Sequence, residues 1–198
     1  MMRRLANLVL LLVAVAFCYG LQVSKPHYAE LIAPVPIRGK VGETIVGSSF
    51  EVRVEKLEFA RKLKTDRFGE TKVLTTGGVW AVVTVAFAAT DRSTSVAVAS
   101  WRGSSGLTYD HTERLSFINN GFLPVTVDPG LPRKARLVFE VSPEEVGNAT
   151  LLISSKLLAA LDSQAEISLG PVAASADGMP AGTVDTLDLS QQIDGQPK

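Results

Sequence analysis

The sequence holds a single cysteine, Cys18, inside an N-terminal apolar run, which leaves the rest of the chain without a thiol for a disulfide, a metal cage or nucleophilic catalysis. Histidine is nearly as scarce, with His27 and His111 the only two. Net charge is also missing: 20 basic residues balance 20 acidic ones, so nothing draws the chain to nucleic acid or gives it a polybasic face for anionic lipid. No phosphate loop, dinucleotide fingerprint, His-Glu-x-x-His or paired-cysteine motif occurs. The expectation is therefore no cofactor, no metal, no nucleic acid and no enzyme. A serine hydrolase would have to join His111 to Ser104 or Ser105 and an acid such as Asp110. It would do so without a Gly-x-Ser-x-Gly elbow, and with adjacent strand residues pointing to opposite faces.

What the sequence has is one stretch, Gly77 to Thr90, that reads as a strand buried along most of its length. Val79, Ala81, Val83, Val85 and Phe87 lie on one face and Trp80, Val82, Thr84, Ala86 and Ala88 on the other. Neither face carries a charge, so both must be covered. The β-branched and aromatic content favours strand over helix, the glycine pair marks its start, and Asp91-Arg92-Ser93 turns the chain at its end.

Ahead of it, Arg3-Arg4 precedes the apolar run Leu5 to Leu21, which contains Asn7 as its one strongly polar member. Basic residues before such a run keep the N-terminus in the cytoplasm and place the remainder outside. The run is near the lower limit of about 17 residues for a spanning helix. No Ala-x-Ala stands at Cys18-Tyr19-Gly20, which favours an uncleaved signal anchor over a cleaved signal. Phe17 before Cys18 argues against lipidation, and Arg3-Arg4-Leu-Ala-Asn against twin-arginine export. Pro26, Pro34 and Pro36 then break any helix and imply an extended stalk, with His27 and Tyr28 near the membrane surface.

Phe50, Val52 and Val54 alternate with Glu51, Arg53 and Glu55, the pattern of a half-buried strand. The alternation slips before Leu57 and Phe59, so a bulge is expected near Glu55-Lys56. Arg61 to Lys72 is charged and unpatterned: a solvated loop, or a recognition loop whose Arg61, Lys62, Lys64 and Arg67 would meet an acidic partner. Thr94 to Arg102 reads as one strand antiparallel to the central one, with Val96, Val98 and Ser100 facing the core. Trp101 and Arg102 then fall at its end beside Gly103 to Gly106, where an exposed tryptophan and arginine would suit a partner, although core filling is the commoner role of tryptophan.

Leu107 to Phe117 has an uncertain core contribution, and Asn119-Asn-Gly121 is a turn signal. Strands follow at Arg136–Val141, Thr150–Ser154 and Ala165–Leu169, with a serine-capped helical start at Ser142-Pro143-Glu144-Glu145. Lys156 to Ser163 is a loop or a helical turn, and Asn148-Ala-Thr150 matches a glycosylation sequon but reads better as a turn.

Seven to nine short antiparallel strands with turns every 8 to 12 residues fit an all-β, immunoglobulin-like antiparallel β-sandwich behind a transmembrane helix. Four segments carry a resemblance: Val41-Gly-Glu-Thr44, Gly78 to Val85, Thr90-Asp91-Arg92, and Asp128-Pro-Gly130 before Arg136–Val141. Together they resemble the bacterial extracytoplasmic immunoglobulin-like domains typified by the mycobacterial immunoprotective secreted antigen, over roughly Gly39 to Gly170. The turn departs from that pattern, since Thr90-Asp91 stands where such domains often have Asn-x-Ser or Asn-Thr. The resemblance implies a surface or periplasmic domain that binds something, and transfers no catalytic residue.

The expected boundaries are 1–22 for the anchor, 23–39 for the stalk, 40–170 for the sandwich and 171–198 for a disordered acidic tail. The expected role is a membrane-anchored, non-catalytic binding or scaffolding module of the cell envelope whose partner is an envelope or membrane protein. The alternative is a secreted or periplasmic small-ligand-binding sandwich released by signal cleavage.

Overall fold

A computed structural model describes residues 2–24, 33–67, 70–115, 123–156, 161–191 and 193. They fall into two units, Met1–Ala33 and Pro34–Lys198. The described part of the first is a single helix, α1 (Met2–Val23), which ends one residue later than expected and is rich in the leucine and alanine that favour helix. Its window Ala6–Val23 has a mean hydropathy of 2.1 and is long and apolar enough to cross a membrane. Residues 25–32 of the expected stalk, with His27 and Tyr28, lie outside the described residues.

The second unit contains twelve described strands: β1 (Val35–Lys40), β2 (Thr44–Val46), β3 (Phe50–Arg67), β4 (Glu70–Ala89), β5 (Thr94–Val96), β6 (Val98–Arg102), β7 (Thr108–Asp110), β8 (Val125–Val127), β9 (Arg133–Val141), β10 (Thr150–Ser154), β11 (Ser163–Ser168) and β12 (Val184–Asp188). Single 3₁₀ turns stand at Glu113–Leu115 and Pro143–Glu145. One sheet runs β1-β11-β10-β6-β7 and the other β12-β3-β4-β9, with β2 also on β3 and a small β5-β8 pair beside them. The two sheets face each other across one core, so the domain is the immunoglobulin-like β-sandwich that the strand pattern implies. Pairing is antiparallel except at two sheet edges, where β1 joins β11 and β12 joins β3 in parallel.

The central strand is β4, and its two faces part as their alternation requires. Val79, Ala81, Val83, Val85 and Phe87 enter the inter-sheet core with Trp101, Phe139, Leu151, Ile153 and Ile167. Trp80 and Val82, on the outer face, join a second cluster with Ala60, Leu63, Leu74, Val138, Leu115 and Leu189. The bulge expected near Glu55-Lys56 lies between Val54 and Lys56 and returns Phe59 to the core side. Ala60, next to Phe59, faces the outer cluster by alternation, and a second break between Ala60 and Lys62 turns Leu63 to that same cluster. Opposite it, β4 passes so close to β9 that a Cβ on Gly78 would stand 2.2 Å from the Val141 carbonyl oxygen, which accounts for glycine at that position.

Four expectations are corrected. The described residues of Arg61 to Lys72 are strand and not loop: β3 and β4 stay paired from Lys62↔Thr75 to Arg67↔Glu70, with β12 beside β3 as far as Lys64 and the two-stranded arm alone beyond it. The stalk ends early, because Val35 to Lys40 is already a strand of the sandwich. The segment from 171 is ordered through 191, with β12 on β3 and Leu189 buried. Thr94 to Arg102 is two strands in different sheets, neither paired with β4, because the chain crosses from one sheet to the other around Ala97. The crossing reverses the expected parity, so Ala99 and Trp101 face the core. The turn signal at Asn119-Asn-Gly121 lies outside the described residues.

Leu189 is 1% exposed and closes the outer cluster, whereas Lys62 and Asp185 pair at 3.6 Å with both side chains largely in solvent. Leu189→Ala is expected to cost about 2–4 kcal/mol in urea unfolding. Asp185→Asn should cost less than about 1 kcal/mol. Equal losses for the two would show that β12 is held by charge rather than by its leucine.

Candidate functional site

The residues expected to meet a partner are engaged within the chain. Trp101 is fully buried: its ring lies 5.9 Å from that of Phe139, and its Nε1 donates to the Glu145 carbonyl at 3.1 Å. The exposed-contact reading of Trp101 is thereby corrected. Arg102, on the outer face of β6, reaches Glu166 of β11 at 3.4 Å, and Arg38 of β1 reaches the same carboxylate at 3.3 Å. Arg61 pairs with Asp177, Lys62 with Asp185, and Lys64 with Asp188 at 3.3 Å. The basic stretch does meet an acidic segment, and that segment is the chain's own C-terminal one. The Arg67 side chain lies outside the described residues. Ser190 donates to Asp188 from its hydroxyl and its amide and holds that carboxyl below its usual range.

The glycine-rich loop after β6 has a structural job. A Cβ on Gly103 would stand 2.1 Å from Glu145 Oε2, so glycine alone lets that carboxylate tuck in. The Ser105 amide then donates to it at 3.0 Å, and hydrogen bonding from Ser105 holds the Glu145 carboxyl below its usual value. Ser142 occupies the expected cap position before Pro143, yet makes no side-chain cap bond. The residues that a serine hydrolase would need are separately engaged. Ser104 donates to the Glu144 carbonyl, Ser105 Oγ accepts from the Leu107 amide, and Asp110 accepts from Ser100 at 2.9 Å. Burial lowers the pKa of His111, against the opposing charges of Asp110 and Glu113.

A different place gathers polar groups. At one end of the sandwich, the turn before β3, the turn after β4, Ser155-Lys156 after β10 and Leu161-Asp162 before β11 border an open cavity of about 570 Å³, with Arg92 and Lys156 exposed at its mouth. Among the described residues, Ser48, Ser49, Arg92, Ser93, Thr94, Ser95, Ser155, Lys156 and Asp162 line it, with Leu161 the one apolar member. Asp162 is the fixed point. It accepts from Ser48 Oγ at 2.6 Å, from Lys156 Nζ at 3.0 Å and from the Ser163 amide at 2.8 Å. These donors, the Ser48 hydroxyl foremost, hold its pKa at about 2 against a usual 3.8. Ser93 Oγ donates to Asp128 at 2.5 Å on the rim. Sequence reading took Asp91-Arg92-Ser93 as a turn only, and Ser48 and Ser49 carry no signal of their own. No local signal says that turns more than a hundred positions apart share one cavity.

No protein-family model and no curated protein matches the chain. Among solved structures, the YjhA protein of Bacillus subtilis aligns with 65% of this chain and 99% of its own, at 14% identity and a TM-score of 0.49. An uncharacterised β-sandwich protein from Clostridium difficile covers 68% of this chain and 95% of its own, at 10% identity and a TM-score of 0.41. The secreted protein MPT63 of Mycobacterium tuberculosis covers 70% of this chain and 100% of its own, at 14% identity and a TM-score of 0.49. The chain is thus similar to the group that its sequence resembles at the level of the fold, and no residue's role passes from these proteins to this one.

Because Asp162 has a folded-state pKa below its ordinary value, its ionised form stabilises the domain fully above about pH 4–5, and that contribution fades as pH falls toward about 2. Wild type should therefore lose more stability than Asp162→Asn between about pH 5 and pH 2, and the gap between their urea midpoints should close over that window. Parallel losses would mean that the bonds from Ser48 and Lys156 do not favour the ionised group in solution.

Proposed function

We propose that the protein is a membrane-anchored extracytoplasmic binding module, non-catalytic, whose partner is an envelope or membrane protein. On this reading α1 is a single-pass signal anchor in the inner (cytoplasmic) membrane, with Arg3 and Arg4 on the cytoplasmic side and the sandwich outside. The observation that carries it is the exposure of α1. Leu8, Leu10, Leu11, Leu12, Val13 and Phe17 are all more than half exposed in a helix whose apolar window is nowhere buried against protein. Covering each such side chain is worth about 1.5–3 kcal/mol, and lipid is the medium that covers a helix on all sides. Anchoring also confines the domain to a plane, where a modest affinity for a membrane neighbour suffices.

The alternative, a released domain with a small apolar ligand between its sheets, loses the feature that would favour it. Trp101, Phe139, Phe50 and Phe87 fill that space and are all fully buried.

Isolation from the native host should give a protein of full-length intact mass that stays with membranes through an alkaline carbonate wash. Crosslinking from Lys72, on the β3-β4 arm, should then capture a membrane or envelope protein. A soluble species lacking about 20 N-terminal residues would overturn the anchor and favour the released domain.

A further inference from the structure

We infer that the cavity at the end of the sandwich is a binding site for a phosphorylated polyol. The inference deepens the reading of the domain as a binding module and is independent of the anchor. It follows from the cationic donors of the lining that no carboxylate takes up. Asp162, the one lining carboxylate among the described residues, has its oxygens taken by Ser48, Lys156 and the Ser163 amide, and Asp128 on the rim accepts from Ser93. Among the described residues, the side chains of Arg92, Thr94, Ser95 and Ser155 make no hydrogen bond or ion pair. Ser155 is mostly buried and Thr94 and Ser95 half-buried, so these hydroxyls belong to the cavity wall rather than to open surface. A guanidinium carries five donors and no acceptor, in a fork that matches a tetrahedral oxyanion. An ammonium carries three, and Lys156 uses one on Asp162. The charged groups left over are the Arg92 guanidinium and the rest of the Lys156 ammonium, beside hydroxyls that can donate or accept, and an oxygen-rich anion is the ligand that satisfies several at once.

The rest of the lining narrows the class. A volume of about 570 Å³ exceeds what a bare phosphate fills and lies within the usual range for small-ligand sites. Among the described residues no aromatic ring lines the wall and Leu161 is the one apolar side chain, so the described lining is chiefly hydroxyl and charge. Hydroxyls from Ser49, Thr94, Ser95 and Ser155 can instead donate to and accept from the hydroxyls of a polyol attached to the anion. Such a group occurs both in soluble phosphate esters and in glycerophospholipid headgroups.

The test uses the full chain in uncharged maltoside micelles, titrated calorimetrically with sn-glycerol 3-phosphate, inorganic phosphate and glycerol. Glycerol 3-phosphate should bind saturably and more tightly than phosphate, and glycerol should not bind. Arg92→Gln should weaken glycerol 3-phosphate by about tenfold with its urea midpoint unchanged, and Arg92→Lys by less, since it keeps the charge and loses the fork. Arg53→Gln, outside the cavity, should change nothing. Doping the micelles with phosphatidylglycerol separates the sources: competition with glycerol 3-phosphate identifies a lipid headgroup, and no competition a soluble ester. The inference is overturned if no phosphate compound binds saturably, if glycerol binds as well as its phosphate, or if Arg92→Gln leaves the affinity as it was. None of those results bears on membrane retention, so the anchored-module reading stands or falls separately.

Discussion

Everything in this domain depends on β4 being apolar on both faces. A strand in a two-layer sandwich ordinarily turns one face to the core and the other to water. Here Trp80 and Val82 look away from the inter-sheet core and are as buried as the residues that look into it. The second cover has to come from somewhere, and it comes from distant parts of the chain: Leu115 in the short turn after β7 and Leu189 just past β12. Arg114 finishes it, with its guanidinium 5.2 Å from the Trp80 ring and its Nη1 bonded to Thr75 and Glu140. The cover is dry enough that the Trp80 Nε1 has no partner among the described residues, a desolvation cost of about 1–3 kcal/mol that the surrounding packing must offset.

Returning the C-terminal segment to this place also solves a problem at the sheet's edge. β3 is 18 residues long, and an unpaired edge of that length would invite association with another chain. β2 takes its first part, at Glu51 to Arg53, and β12 takes Ala60 to Lys64. Arg136 holds the return by donating to the Leu189 and Gln191 carbonyls at 2.9 and 2.8 Å. The ion pairs along the junction are exposed and individually weak, so they set register more than they supply stability. One segment thus serves three ends: it roofs Trp80, closes an edge and neutralises a basic stripe.

What the sequence made legible follows from how far each signal reaches. The two-faced burial of Gly77 to Thr90 and the bulge after Val54 are local patterns of period 2, and both hold in the structure. The parity of Thr94 to Arg102 misled, because alternation is informative only within one sheet and the chain changes sheets inside that run. The basic stretch from Arg61 was legible as a surface seeking acids, but its partner stands 116 positions away in a segment so poor in bulk that Leu187 and Leu189 do not register as a pattern. The polar cavity was illegible for the same reason: each of its walls is an ordinary turn, and only their convergence is informative.

The distribution of exposed apolar side chains ties the two units to different kinds of contact. In the sandwich such residues stand singly, at Val46, Val73, Leu107, Leu131 and a few others, as on any folded surface. In α1 they are continuous from Leu8 to Leu12 and recur to Val23. Among its described residues, a domain that has covered both faces of its central strand by itself shows no large apolar face. A ligand held at that described surface would be held by hydrogen bonds and charge, which are specific but lose strength to competing water. Such contacts work best where a concave wall fixes several donors in advance and where the target is already concentrated nearby. The hydroxyl-lined end of the sandwich supplies the first condition, and an apolar helix able to sit in lipid supplies the second.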